Sequence, residues 1–145
     1  GLLGARNYVK TSGSFNTRPV LNLNLDMIAQ SQKNELYMSG SYHTPALKSY
    51  IEQAAQGTDI NLLFGHDRPE DGNDDWTSQS DHAAFHNVGV PFVYFGVEDH
   101  PYYHKPTDTF ETLPLDFYKK SLNTVVNAAH ILDDHLDTLA KPVER

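Results

Sequence analysis

Nine residues late in the chain, Tyr102-Tyr103-His104-Lys105-Pro106-Thr107-Asp108-Thr109-Phe110, put an imidazole, a phenol and a carboxylate close together. They follow a nearly all-apolar run over 90–97 and a short acidic loop, Glu98-Asp99-His100-Pro101. Such a run reads as a strand buried on both faces, and open α/β sheets bind ligands just outside the carboxyl ends of their strands. His104 is therefore a candidate metal ligand, and Tyr103 a candidate donor to an oxygen that gains charge during a reaction. A loop histidine is also commonly a solvated side chain, so the rest of any site has to be sought elsewhere.

Asp26 is the first place to look. Leu21, Leu23 and Leu25 alternate with Asn22, Asn24 and Asp26, the period-two pattern of a strand, and Asp26 ends it on the polar face. An aspartate there either caps the following turn or lends an oxygen to a metal. Ser80-Asp81-His82-Ala83-Ala84-Phe85-His86 supplies another imidazole–carboxylate group, in which Ser80 reads as the N-cap of a short helix over 81–87 ended by Gly89. His82 and His86 have the i, i+4 spacing of a zinc-protease pair. Ala83 stands where that motif needs its catalytic Glu, so the motif is absent. Residues 65–78, with many Asp among Gly and Pro, read as a surface loop. Counted from Asp67, Pro69 and Ser78 fall on ligand positions, which excludes an EF-hand calcium loop. His130 and His135 share no helix face.

The elements that must position these groups follow from the pattern. Residues 1–10 are expected to end a helix and 11–19 to form a loop. Strands are expected over 20–28, 35–38, 60–64 and 90–97, with a turn at Ser39-Gly40-Ser41. Pro45, with Thr44 as cap, opens a helix that runs to Gln56 and stops at Gly57. Leu115, Tyr118, Leu122, Val125, Val126, Ala129 and Leu132 have helical spacing within one long amphipathic helix over 115–139. With no repeat and no inter-domain linker, residues 1–145 form a single domain, and strands alternating with helices make it α/β.

Composition narrows the chemistry. Nineteen acidic against eleven basic side chains give a net charge of −8, which argues against nucleic acid, whose affinity comes from neutralising phosphates with Lys and Arg. There is no apolar run long enough to span a bilayer and no secretory signal pattern. With no cysteine, any zinc must be held by His and carboxylates. Met27 and Met38 are the only methionines, and the opening Gly-Leu-Leu-Gly reads like the interior of something longer.

Asn24-Leu25-Asp26-Met27, then Ser80-Asp81-His82-x-x-Phe85-x-x-x-Gly89-Val90-Pro91, then Tyr103-His104-x-x-x-Asp108-Thr109 occur in this order. Together they resemble the C-terminal half of the two-zinc aminopeptidases of the M28 peptidase family, over nearly the whole chain. The resemblance implies a three-layer α/β/α zinc-exopeptidase-like fold, of which this chain is the C-terminal portion. It implies two zinc ions in the complete enzyme, with Asp26 and His104 as one terminal ligand for each. Tyr103 matches a tyrosine that, in some members, hydrogen-bonds the tetrahedral intermediate. Asp81, His82 and Asp108 would lie behind the ligands or touch substrate.

Gly1-Leu2-Leu3-Gly4-Ala5-Arg6 matches a stretch that in the family follows a Glu-Glu pair carrying the general base. The chain is thus expected to hold two of five metal ligands and no base, to bind zinc weakly or not at all, and to be inactive alone. The complete enzyme would act on peptides with a free N-terminus. Many relatives are exported, which makes the protein periplasmic or secreted by analogy. A sheet edge or apolar face left open should pair with the missing N-terminal half or with another copy. Two alternatives remain open. One is a glutaminyl-cyclase-like zinc enzyme, against which Tyr103 speaks because cyclases tend to have Trp before the ligand His. The other is a non-catalytic binding module that retains the fold. A peptidase site requires the Asp26 carboxylate and the His104 ring to converge on one cleft with Tyr103 beside them.

Overall fold

The computed structural model describes residues 2–12 and 18–139; Gly1 and the middle of the loop expected over 11–19 lie outside them. Four strands, β1 (Asn22–Leu25), β2 (Glu35–Ser39), β3 (Asn61–Phe64) and β4 (Phe92–Gly96), form one sheet in the order β1-β4-β2-β3. β1 and β4 are parallel, as are β2 and β3, whereas β2 and β4 pair antiparallel. The carboxyl ends of β1 and β4 therefore open together on one side of the sheet, opposite those of β2 and β3.

β4 is buried at every residue, as its apolar run requires. Its alternate side chains serve two layers. Val93 and Phe95 pack with Leu36 and Met38 against α2 (Leu47–Ala55) and α4 (Leu115–Asp134), through Leu47, Ile51, Phe117, Val125 and Leu132. Each such side chain contributes about 1.5–3 kcal/mol when fully buried. Phe92 and Tyr94 point the other way, to Trp76 and Tyr37. On that side α3 (His82–His86) packs over the sheet, and α1 (Leu3–Ser12) lies against it through Tyr8 and Phe85, whose rings are 5.8 Å apart. Helices on both faces of the sheet make the α/β/α sandwich.

Several elements differ from the sequence pattern. β1 is shorter than 20–28 because Met27 takes φ +62°, a left-handed conformation that no strand can continue through. α2 starts at Leu47, and the Thr44 hydroxyl does not cap it; the Thr44 carbonyl accepts from the Leu47 amide at 3.0 Å instead. Residues 65–78 are more than a surface loop. They form short 3-10 turns over Pro69–Asp74 and Trp76–Ser78 and bury both Asp67 and Trp76. The Asp67 carboxylate accepts from the Gly40 and Tyr42 amides at 2.8 and 3.0 Å, which pins this segment to the end of β2. The long helix expected to reach residue 139 breaks at His135, and a separate turn, α5 (Leu136–Leu139), follows.

Candidate active site

A cleft of about 220 Å³ opens where β1 and β4 end, and its walls include Asp26, Asp74, Trp76, Glu98, Asp99 and Tyr103. β1 delivers Asp26: its amide donates to the Phe95 carbonyl at 3.2 Å, one last sheet bond before Met27 turns the chain away. Gly96, opposite, leaves room for the Tyr94 phenol, since a Cβ there would lie 2.7 Å from the Tyr94 hydroxyl. That hydroxyl donates to the Asp26 carbonyl at 3.3 Å. Burial, and then the nearby Asp26 and Tyr103 charges, push the Tyr94 phenol far above its ordinary pKa. It stays a donor at any physiological pH.

The Asp26 carboxylate is held from the α3 side. Ser80 Oγ donates to Asp26 Oδ2 at 2.7 Å, and Asn24 Nδ2 donates to Ser80 Oγ at 3.1 Å. Ser80 is therefore not the cap of α3. The N-cap position belongs to Asp81, whose side chain makes no capping bond. The opposite rim is held by His66, whose ring stacks on Trp76 at 3.7 Å with 3° between planes. Its Nδ1 meets the Asp74 carbonyl at 2.9 Å and its Nε2 meets Glu98 Oε1 at 3.0 Å. Sequence reasoning did not single out Asn24, His66, Trp76 or Glu98 as site residues. Only Asn24 carried a signal, as the residue two before Asp26 on the same face of a strand.

The structure brings Asp26 and Tyr103 to one cleft but leaves His104 and the other candidates apart, so the convergence of the Asp26 carboxylate with the His104 ring required of a peptidase site is met for Asp26 and Tyr103 and not for His104. His104 is exposed, has φ +54°, and stacks on the Tyr103 ring at 3.8 Å rather than lining the cleft. His82 is fully buried beneath Asn24. Asp81 is exposed and borders a different hollow with Tyr8 and Phe85. Asp108 is exposed in the turn after Lys105. Among the described residues no three His, Asp or Glu side chains converge as a metal-holding group.

Residues 1–129 match the model of peptidase family M28. BSAP, a zinc aminopeptidase from Bacillus subtilis, superposes with a TM-score of 0.68 at 26% identity, over 90% of this chain and 32% of BSAP. LapA, an aminopeptidase of Legionella pneumophila, gives 0.70 at 18% identity over 91% of this chain and 36% of LapA. An aminopeptidase from Aneurinibacillus gives 0.62 at 22% identity, over 91% of this chain and 30% of its own. The chain thus spans about a third of the length of these solved relatives. No curated protein matches it. With the family match running through α1, the whole sheet and most of α4, the chain belongs to peptidase family M28.

Proposed function

We propose that this chain is part of a zinc-dependent aminopeptidase that releases N-terminal residues from peptides. The observation that carries the reading is the meeting of Asp26 and Tyr103 in one cleft at the carboxyl ends of two parallel strands. Bound zinc would supply a Lewis acid and a water acidified toward pKa ~7. Asp26 would be one of its ligands. His104, the second ligand the resemblance names, would have to turn from the Tyr103 ring into the cleft to join it, and the other ligands and the general base would come from outside the described residues. Tyr103 would donate to the oxygen of the tetrahedral intermediate, a bond stronger in the transition state than in the ground state. Asp74, Glu98 and Asp99 give the rim a negative character suited to a substrate's α-ammonium.

The exposed His104 and the lack of a converging group of three His, Asp or Glu side chains among the described residues favour a module keeping the fold without the metal. Assay of aminoacyl-p-nitroanilide hydrolysis with zinc separates the two readings. The 145-residue chain alone is expected to be inert. Combined with the remaining part of the catalytic domain it should hydrolyse the substrate, and Tyr103→Phe should then lower kcat by roughly 10²–10³. Activity of the chain alone that disappears in His104→Ala would overturn the expected inactivity. Failure of the combined domain to cleave would support the module.

A further inference from the structure

A single file of hydrogen bonds runs behind the cleft from the core to Asp26. His82 Nε2 lies 2.9 Å from the Trp76 carbonyl oxygen. A carbonyl can only accept, so Nε2 carries the proton. The ring is fully buried between Tyr94, at 4.6 Å and 17°, and Phe92, at 4.7 Å. Burial also lowers its pKa, which keeps the second nitrogen bare. Nδ1 then offers a lone pair to Asn24 Nδ2, 3.3 Å away. The Asn24 amide can meet that lone pair only with its nitrogen. Its remaining N–H donates to Ser80 Oγ at 3.1 Å, and the one Ser80 proton goes to Asp26 Oδ2 at 2.7 Å. Were the amide turned over, its oxygen would face the Nδ1 lone pair and would compete for the Ser80 proton. Asp26 would lose its donor.

We propose that His82 and Asn24 are positioning residues for Asp26: the Trp76 carbonyl selects the His82 tautomer, the tautomer selects the Asn24 amide orientation, and that orientation commits the Ser80 proton to the Asp26 carboxylate at the cleft wall. Its meaning for catalysis rests on the aminopeptidase reading, but its test needs no activity. In the isotope-labelled chain near neutral pH, long-range proton–nitrogen correlation should show His82 protonated at Nε2 and bare at Nδ1. Three-bond couplings should show Asp26 in one χ1 rotamer. Asn24→Asp keeps the size and removes both N–H donors; His82→Phe keeps the packing and removes both nitrogens. In each, and in Ser80→Ala, Asp26 should average over rotamers while the β4 amide shifts stay in place. A proton on Nδ1 in the native chain would overturn the proposal. So would an Asp26 that keeps its single rotamer in folded Asn24→Asp. Should both variants fail to fold, the native tautomer still decides. A completed domain without peptidase activity would remove the proposed function and leave this hydrogen-bond file standing.

Discussion

Ser80 shows two local uses of one hydroxyl in competition. An N-cap needs an oxygen that accepts from the first turn of a helix, whereas here the hydroxyl gives its proton to Asp26 and accepts from Asn24. Ser80→Asp separates the two. A cap-competent carboxylate would preserve stability, whereas a second carboxylate against Asp26 should lower the urea midpoint by the equivalent of about 1–3 kcal/mol. Unchanged unfolding would restore the cap. Gly96→Ala should cost a similar ~1–3 kcal/mol through overpacking against the Tyr94 hydroxyl. His82 and His86 add a pH dependence. Both are shifted down, first by burial and then by a neighbouring imidazole, so the folded chain takes up protons later than the unfolded one. The contribution of these two histidines to stability is therefore full above about pH 6.5, the ordinary histidine value, and is lost as the pH drops through their lowered folded values. Urea midpoints measured at neutral and mildly acidic pH should show the fall, and a flat profile would refute it.

At the level of elements, α4 is the instructive case. Seven apolar residues at helical spacing marked one face, yet the buried stripe is Phe117, Ser121, Thr124, Val125, Ala128 and Leu132, while Leu115 and Val126 are 45% and 52% exposed. The stripe is turned because polar groups at the end of α2 need partners. Thr124 Oγ1 donates to Thr58 Oγ1 at 2.9 Å, and Asn127 Nδ2 donates to the Ala54 carbonyl at 3.1 Å. Small hydroxyl side chains also let the two helices approach, which an apolar count cannot register. One member of the stripe is unsatisfied: Ser121 Oγ is buried with no hydrogen-bond partner. Ser121→Ala should consequently raise stability, by about 1 kcal/mol, since an unpaired buried hydroxyl is costly. A lower melting temperature in that variant would show that the hydroxyl has a partner after all.

For the whole molecule, the open sheet is what matters. β1 and β3 are its edges; Val20 and Leu25 at the ends of β1 are exposed, as are Leu3 and Tyr8 on α1. An uncovered edge next to apolar surface invites strand pairing. We propose that in the full protein the rest of the domain covers it. The isolated chain should then self-associate as its concentration rises in sedimentation, and Leu25→Lys should weaken that association; a chain that stays monomeric throughout would count against the idea. Much of this molecule is legible in its sequence. Strict alternation marked β1, the continuous apolar run marked β4, and three ordered motifs marked the family, because backbone period and residue type are local properties. The face of α4 that is buried, the proton Ser80 gives away and the stacking of His104 on Tyr103 are not. Each depends on a partner chosen by packing: Ser80 and Asp26 are 54 positions apart, and only the fold, with α3 packed over the parallel pairing of β1 and β4, sets them within a hydrogen bond of each other.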